Sequence, residues 1–263
     1  MAGTKIDHNY TIMPTSDHTH TIIFLHGRDS EAEEFASEFF ESQASDDRTF
    51  AEILPGFKWV FPSSKMRLSA RFESEMSQWF DMWSVEEPQQ RKELQINGLI
   101  ESIGQIVNVI NNEGDHIRRE RIFLAGISQG CATAILTLLL KPMHLAGFIG
   151  LSSWLPFEEE IMSLAASLKE GGEEGVRSFK AIQMKLSPDA TLNRKTTPIL
   201  STPVFLSHSE DDDVAPESNG EVLYRGLREL GMKVTRKTYE DGGHWINEPQ
   251  GVDDIVAFIQ ALL

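Results

Sequence analysis

Five short runs of this chain are apolar at almost every position: Thr21–Leu25, Lys58–Phe61, Arg121–Ala125, Gly147–Leu151 and Val204–Ser207. A strand with one wet face alternates apolar and polar residues, whereas a strand covered on both faces does not. These runs therefore demand a sheet with a layer on each side. Segments of helical period lie between them. Glu93–Asn111 places Leu94, Ile96, Leu99, Ile100, Ile103, Ile106, Val107 and Ile110 near a 3.6-residue repeat, with Gly114 as a stop. Ser128–Leu140 is apolar and closed off by Lys141-Pro142. Asn219–Leu230 ends at Gly231, and Glu248–Leu263 carries Val252, Ile255, Val256, Ile259 and Leu262 on one stripe. A weaker amphipathic run, Lys233–Tyr239, adds one more strand. The alternation predicts an α/β fold with a mostly parallel central sheet and helices on both faces.

One stretch breaks the rhythm. Glu158–Leu200 opens with three acids, passes through Gly171-Gly172-Glu173-Glu174-Gly175 and ends in polar residues and prolines. It reads as a surface insertion at about 158–200, near one edge of the sheet, holding one or two helices and a loop within a single domain, 1–263.

Composition narrows the partners. Lys+Arg of 24 against Asp+Glu of 40 gives a net charge of -16 over 263 residues. Such a surface repels phosphate backbones at long range, so no nucleic-acid partner is expected. One cysteine excludes an internal disulfide framework and a cysteine zinc cluster, and fits a reducing compartment. The longest apolar run, Ala134–Leu140, is too short to cross a bilayer. Met1–Tyr10 lacks an apolar signal core, and neither end carries a lipidation motif. The expectation is a cytoplasmic protein without a stable membrane anchor.

The chemistry concentrates at Gly126-Ile127-Ser128-Gln129-Gly130, which follows one apolar run and opens a helical segment. A G-x-S-x-G sequence gains its meaning from that strand–turn–helix setting. The tight turn strains the serine backbone, its glycines admit a neighbouring chain, and the helix N-terminus offers N–H groups to an oxyanion. The alternative is a glycine turn with a capping serine.

A serine nucleophile needs a base, and the base needs an orienting acid; in folds with this elbow the chain order is Ser, acid, His. His208 and His244 follow Ser128 in loops suited to a base, with His144 a weaker candidate. His244 lies in Asp241-Gly242-Gly243-His244-Trp245, between a strand and the last helix. His208 ends a strand and precedes the acids Glu210, Asp211, Asp212 and Asp213. An earlier loop, His26-Gly27-Arg28-Asp29-Ser30, follows the strand that ends at Leu25. The backbone N–H groups of Arg28 and Gln129 are the expected oxyanion donors, and losing one such donor typically costs about 10²–10³-fold in turnover. His26 itself reads as a structural turn residue.

Six blocks in order carry a resemblance: Leu25-His26-Gly27, Trp79-Phe80-Asp81, Gly126–Gly130, Leu151–Pro156, His208–Pro216 and Gly243-His244-Trp245. They resemble the acyl-protein thioesterase and phospholipase/carboxylesterase family of α/β-hydrolases through most of the chain. The resemblance implies the α/β-hydrolase fold, Ser128 as nucleophile and His244 as base. The family pattern H-G-x-x-D-x-x-V-P selects Asp212 as the acid, with Asp213 second and Asp211 third. It further implies cleavage of acyl thioesters or esters, palmitoyl-cysteine on proteins among them, without metal or cofactor. The partners implied are acylated proteins or small acyl esters, and Leu68, Trp79, Trp154 and Leu155 are the acyl-pocket candidates.

The departures from the family pattern point elsewhere. Cys131 stands where a second glycine is usual and reads as a buried small residue. Arg28 stands where leucine is common; its guanidinium is either at the pocket mouth, attracting anionic substrates, or solvated. The segment Ser63–Gln78 carries several charges where an apolar channel wall is expected, which favours shorter acyl groups. A short-chain carboxylesterase or lysophospholipase is therefore the alternative enzyme reading, and a non-catalytic binding protein of the same fold is the third.

Overall fold

In the computed structural model, which describes residues 3–6, 9–141, 143–170, 173–186 and 201–263, the first half of the chain runs β1 (Thr4–Ile6), β2 (Asn9–Ile12), β3 (His20–Leu25), α1 (Ala32–Phe39), α2 (Phe50–Ile53), β4 (Phe57–Pro62), β5 (Lys65–Leu68), β6 (Glu75–Gln78) and α3 (Gln95–Gly114). The second half runs β7 (Ile122–Ile127), α4 (Gln129–Leu140), β8 (Gly147–Leu151), α5 (Glu158–Glu170), α6 (Glu174–Leu186), β9 (Val204–Ser209), α7 (Glu217–Glu229), β10 (Val234–Tyr239) and α8 (Gln250–Gln260).

Strand β7 shows why the apolar runs are continuous. Its Ile122 and Leu124 belong to one buried cluster with α3, α4, α5, α6 and α7, while Phe123, Ala125 and Ile127 belong to another with α1, α2 and α8. Successive side chains point to opposite faces, and here both faces are dry. The sheet order is β1-β2-β4-β3-β7-β8-β9-β10, parallel from β4 through β10 and antiparallel where β2 meets β4 and β1. The fold is that of an α/β-hydrolase, a mostly parallel sheet with helices around it. The order turns at β3, which has β4 on one side and β7 on the other. A crevice opens outside the carboxyl ends of the strands at such a point.

Two features lie outside the sequence expectations. Strand β2 is a four-residue antiparallel neighbour of β4 with two half-buried and two buried positions, so it has no continuous apolar run to reveal it. The β5–β6 hairpin forms its own two-stranded sheet from a segment rich in charge.

The described parts of the insertion, 158–170 and 173–186, carry two helices. They lie against the helical layer on one face instead of flanking a sheet edge: Ile161 and Ala165 of α5 and Phe179, Ile182 and Leu186 of α6 join the buried cluster of α3, α4 and α7. Gln183 Nε2 donates to Leu140 O at the end of α4. Every residue of α4 is buried beneath this layer, as its all-round apolar sequence requires. The remainder of the insertion, 171–172 and 187–200, and Pro142 lie outside the described residues.

Candidate active site

Ser128 stands between β7 and α4 with φ 54° and ψ -125°, a backbone that L-residues other than glycine seldom adopt. The close approach of the chain explains the flanking glycines. A Cβ on Gly130 would lie 2.4 Å from the carbonyl oxygens of both Leu25 and His26, and one on Gly126 would lie 2.5 Å from Cys131 N. The elbow is further pinned by Ser128 N–H donating to Leu151 O at 2.9 Å and Ser153 Oγ donating to Ser128 O at 2.8 Å.

His244 follows β10, and its Nδ1 is 2.8 Å from Asp212 Oδ2. The carboxylate acts only as acceptor when ionised, so the imidazole carries its hydrogen on Nδ1 and leaves Nε2 for a substrate-side proton. Asp212 follows β9 and is the buried member of the acidic run; Glu210, Asp211 and Asp213 are exposed. Asp211 instead accepts from Gly243 N–H at 2.8 Å and so fixes the loop that carries His244. The other Asp212 oxygen, Oδ1, accepts from the N–H groups of Val214 and Ala215, both at 2.9 Å. Burial pushes the Asp212 carboxyl up, but hydrogen bonds from His208, His244 and Ala215 outweigh it and hold the group well below the usual carboxylate range.

Ser128 and His244 line one cavity of about 590 Å³, together with Arg28 and Gln129. Among the described residues no hydrogen bond joins Ser128 Oγ to His244, and in unliganded sites such contacts often tighten only with substrate. As the first residue of α4, Gln129 has an N–H with no intrahelical acceptor, and it points ahead of the helix. Its side chain works as a clip: Oε1 accepts from Trp79 N–H and Nε2 donates to Phe80 O, both at 2.8 Å.

Of the four acyl-pocket candidates, Trp154 lines the cavity and the other three do not. Leu68 sits on the outer hairpin, 63% exposed. Trp79 is fully buried and structural: Nε1 donates to His26 O at 2.8 Å, and its own carbonyl accepts from Ser102 Oγ at 2.6 Å. Leu155 is turned into the core against Gly226 of α7.

The apolar wall comes instead from Phe35, Phe72, Met76, Met82, Val85 and Trp245. These positions come from α1, the β5–β6 hairpin, the loop after β6 and the loop after β10, so no local pattern marks them. The charges of the 63–78 segment do not wall the cavity. Lys65 and Arg67 pair with Glu101 of α3, and Arg71 donates to Trp83 O, leaving Phe72, Ser74 and Met76 to face inward.

His26 is fully buried beside the site. Nδ1 lies 2.7 Å from Gly27 O, and Nε2 accepts from Ser64 N–H at 3.1 Å. Because Nε2 accepts, the ring is neutral; burial lowers its pKa to about 4, outweighing the Gly27 bond, which favours the charged form. Burial likewise pushes the Cys131 thiol up to about 12, so this residue is packing and not a nucleophile. Among the described residues no cluster of three or more His, Cys, Asp or Glu is arranged to hold a metal ion, and no helix is long and apolar enough to cross a membrane.

A strained serine elbow, a histidine paired to a buried carboxylate and a shared cavity at the strand ends are the arrangement of an α/β-hydrolase. Comparison with known proteins agrees and is more specific. The phospholipase/carboxylesterase family matches residues 6–173, and the prolyl oligopeptidase family matches residues 99–263. The chain belongs to the phospholipase/carboxylesterase family and is a hydrolase. It is 27% identical to acyl-protein thioesterase 1 of Gibberella zeae over 94% of this chain and 92% of that protein. It is 25% identical to carboxylesterase SOBER1 of Arabidopsis thaliana over 75% of this chain and 74% of that protein. Among solved structures, Zea mays acyl-protein thioesterase 2 superposes with a TM-score of 0.68 at 22% identity, covering 97% of this chain and 98% of that one.

Proposed function

We propose that this protein hydrolyses acyl thioesters or esters through an acyl-enzyme on Ser128. Ser128 Oγ attacks the acyl carbonyl while His244 Nε2 takes its proton. The N–H groups of Arg28 and Gln129 stabilise the oxyanion, and Asp212 holds the imidazole tautomer and stabilises the imidazolium. His244 returns the proton to the departing thiol or alcohol. Water deprotonated by His244 then attacks the acyl-enzyme, and Ser128 recovers its proton as the acid leaves. The observation that carries this reading is the 2.8 Å His244–Asp212 pair facing the cavity that Ser128 enters.

The similarity to acyl-protein thioesterases over nearly the whole chain supports acylated proteins as substrates, in the cytoplasm, reached from solution. A second reading, a short-chain carboxylesterase, is favoured by Arg28, Asp29 and Glu38 along the cavity, which leave part of its wall polar. Hydrolysis of p-nitrophenyl esters and acyl thioesters from C2 to C16 separates the two. A Ser128-dependent maximum at C8 or beyond supports the thioesterase, and a maximum at C2 to C4 supports the short-chain esterase. Activity that survives Ser128→Ala would overturn both.

A further inference from the structure

The catalytic reading leaves one charged side chain in the cavity without a task. Arg28 is half-buried, and among the described residues lining the cavity it is the one permanent cation. Among the described residues its Nη1 is buried with no hydrogen-bond partner, and the guanidinium forms no ion pair. It is held in place from one side by Phe72 of the hairpin, whose ring centroid is 5.4 Å from the guanidinium carbon.

The acids that could neutralise it are engaged elsewhere or exposed to solvent. Glu86 accepts from Ser84 Oγ at 2.6 Å and lies 3.8 Å from Arg71, and Asp81 accepts from Ala70 N–H. Asp29 and Glu38, on the cavity lining, are exposed to solvent, where water and salt screen them. Arg71, stacked on the same Phe72 ring, spends a donor on Trp83 O at 2.9 Å and so differs from Arg28. A guanidinium stays protonated in proteins, so a desolvated and unpaired one is a donor fork awaiting an acceptor. In a chain of net charge -16 this cation stands out the more.

We propose that Arg28 is a specificity residue whose guanidinium pairs with an anionic oxygen-acid group, a carboxylate or phosphate, carried by the substrate beside the acyl bond that Ser128 attacks. This rests on the esterase/thioesterase reading and narrows its substrate class. The residue then contributes twice, through its backbone N–H to the oxyanion and through its side chain to recognition.

Two pairs of substrates test it. In the first the charge is on the acyl part: p-nitrophenyl hydrogen adipate against the neutral isostere p-nitrophenyl 6-methylheptanoate. In the second it is on the leaving group: the butyryl thioester of 5-thio-2-nitrobenzoate against that of p-nitrothiophenol. The readout is the ratio of kcat/KM, charged over neutral, from which changes in the shared chemistry cancel. The wild type is expected to favour the charged member of one pair by about ten-fold, and Arg28→Gln to bring that ratio near one, with Arg28→Lys between them. Replacing the carboxylate by a phosphate monoester on the favoured side tells which acid group fits better. A wild-type ratio at or below one in both pairs overturns the proposal, as does a preference that survives Arg28→Gln.

Absence of Ser128-dependent turnover would instead sink the catalytic reading. Arg28 is then judged by calorimetric titration of the same compounds into Ser128→Ala protein. Tighter binding of a charged member, lost on adding Arg28→Gln, supports the pairing, and equal binding of both members overturns it.

Discussion

His208 and His244 approach the same carboxylate oxygen, Asp212 Oδ2, at 3.1 and 2.8 Å. His208 Nε2 is also 2.8 Å from Ala215 O, which can only accept, so that nitrogen carries a hydrogen shared between the two oxygens. The ring is buried against α7, where a Cβ on Gly220 would come within 2.4 Å of His208 Nδ1. The acid that orients the base is thus itself held by a second histidine, on the strand that precedes it.

Asp212→Asn should lower kcat by roughly 10³–10⁴-fold, because an amide cannot hold the productive tautomer of His244. Steady-state kinetics on a chromogenic ester check this. The same carboxyl is held below its ordinary range, so the folded state binds fewer protons than the unfolded state as the pH falls past about 4. Its stabilising contribution is present above that pH and lost on acidification. The melting-temperature deficit of Asp212→Asn relative to wild type should therefore be largest near neutrality and shrink in acid.

His208→Ala should reduce kcat by about ten-fold while leaving KM within about two-fold, the loss of one charge-assisted hydrogen bond to a group that acts through His244. His208→Gln, which retains a donor, should recover part of kcat. A change confined to KM would contradict this positioning role.

His26 makes stability fall on mild acidification. Its folded pKa of about 4 lies below the ordinary value of 6.5, so between those pH values the unfolded chain takes up a proton that the native ring refuses. Stability is full above about 6.5 and declines toward pH 4 by an amount on the order of 3 kcal/mol. Urea unfolding at pH 7 and pH 4.5 should show the decline in wild type and a smaller one in His26→Asn.

Cys131 should be inert to thiol reagents in the native protein, since it is wholly buried and its thiolate is disfavoured. Alkylation should reach one thiol per chain only after unfolding. Native-state labelling at an appreciable rate would show that α4 opens.

The wall of the cavity predicts a contrast between two residues. Leu68→Ser, on the outer face of the hairpin, should change kcat/KM by less than about two-fold, as exposed substitutions usually do. Trp154→Ala enlarges the cavity and should move the preferred acyl length upward, measured across the C2–C16 series.

Much of this protein was determined along the chain itself. The apolar runs of β3, β4, β7, β8 and β9 required a sheet covered on both faces, because burial of alternate side chains in two layers leaves no polar position. The elbow at Ser128 was legible because strand, glycine turn and helix are contiguous there, and Asp212 and His244 because each lies in a loop following a strand, Asp212 at the family's spacing from His208.

What surrounds them was decided only in three dimensions. Leu68, Trp79 and Leu155 are not at the cavity, whereas Phe35 reaches it from α1 and Met82 and Val85 from the loop after β6. The side each residue turns depends on which carbonyls and helices it meets: Trp79 is claimed by His26 O, Leu155 by α7, and the charges of the hairpin by Glu101. Such contacts join residues tens of positions apart, and one-residue periodicity carries no record of them. The unpaired guanidinium of Arg28 has the same origin, since only the packed structure shows which acids near it are already taken.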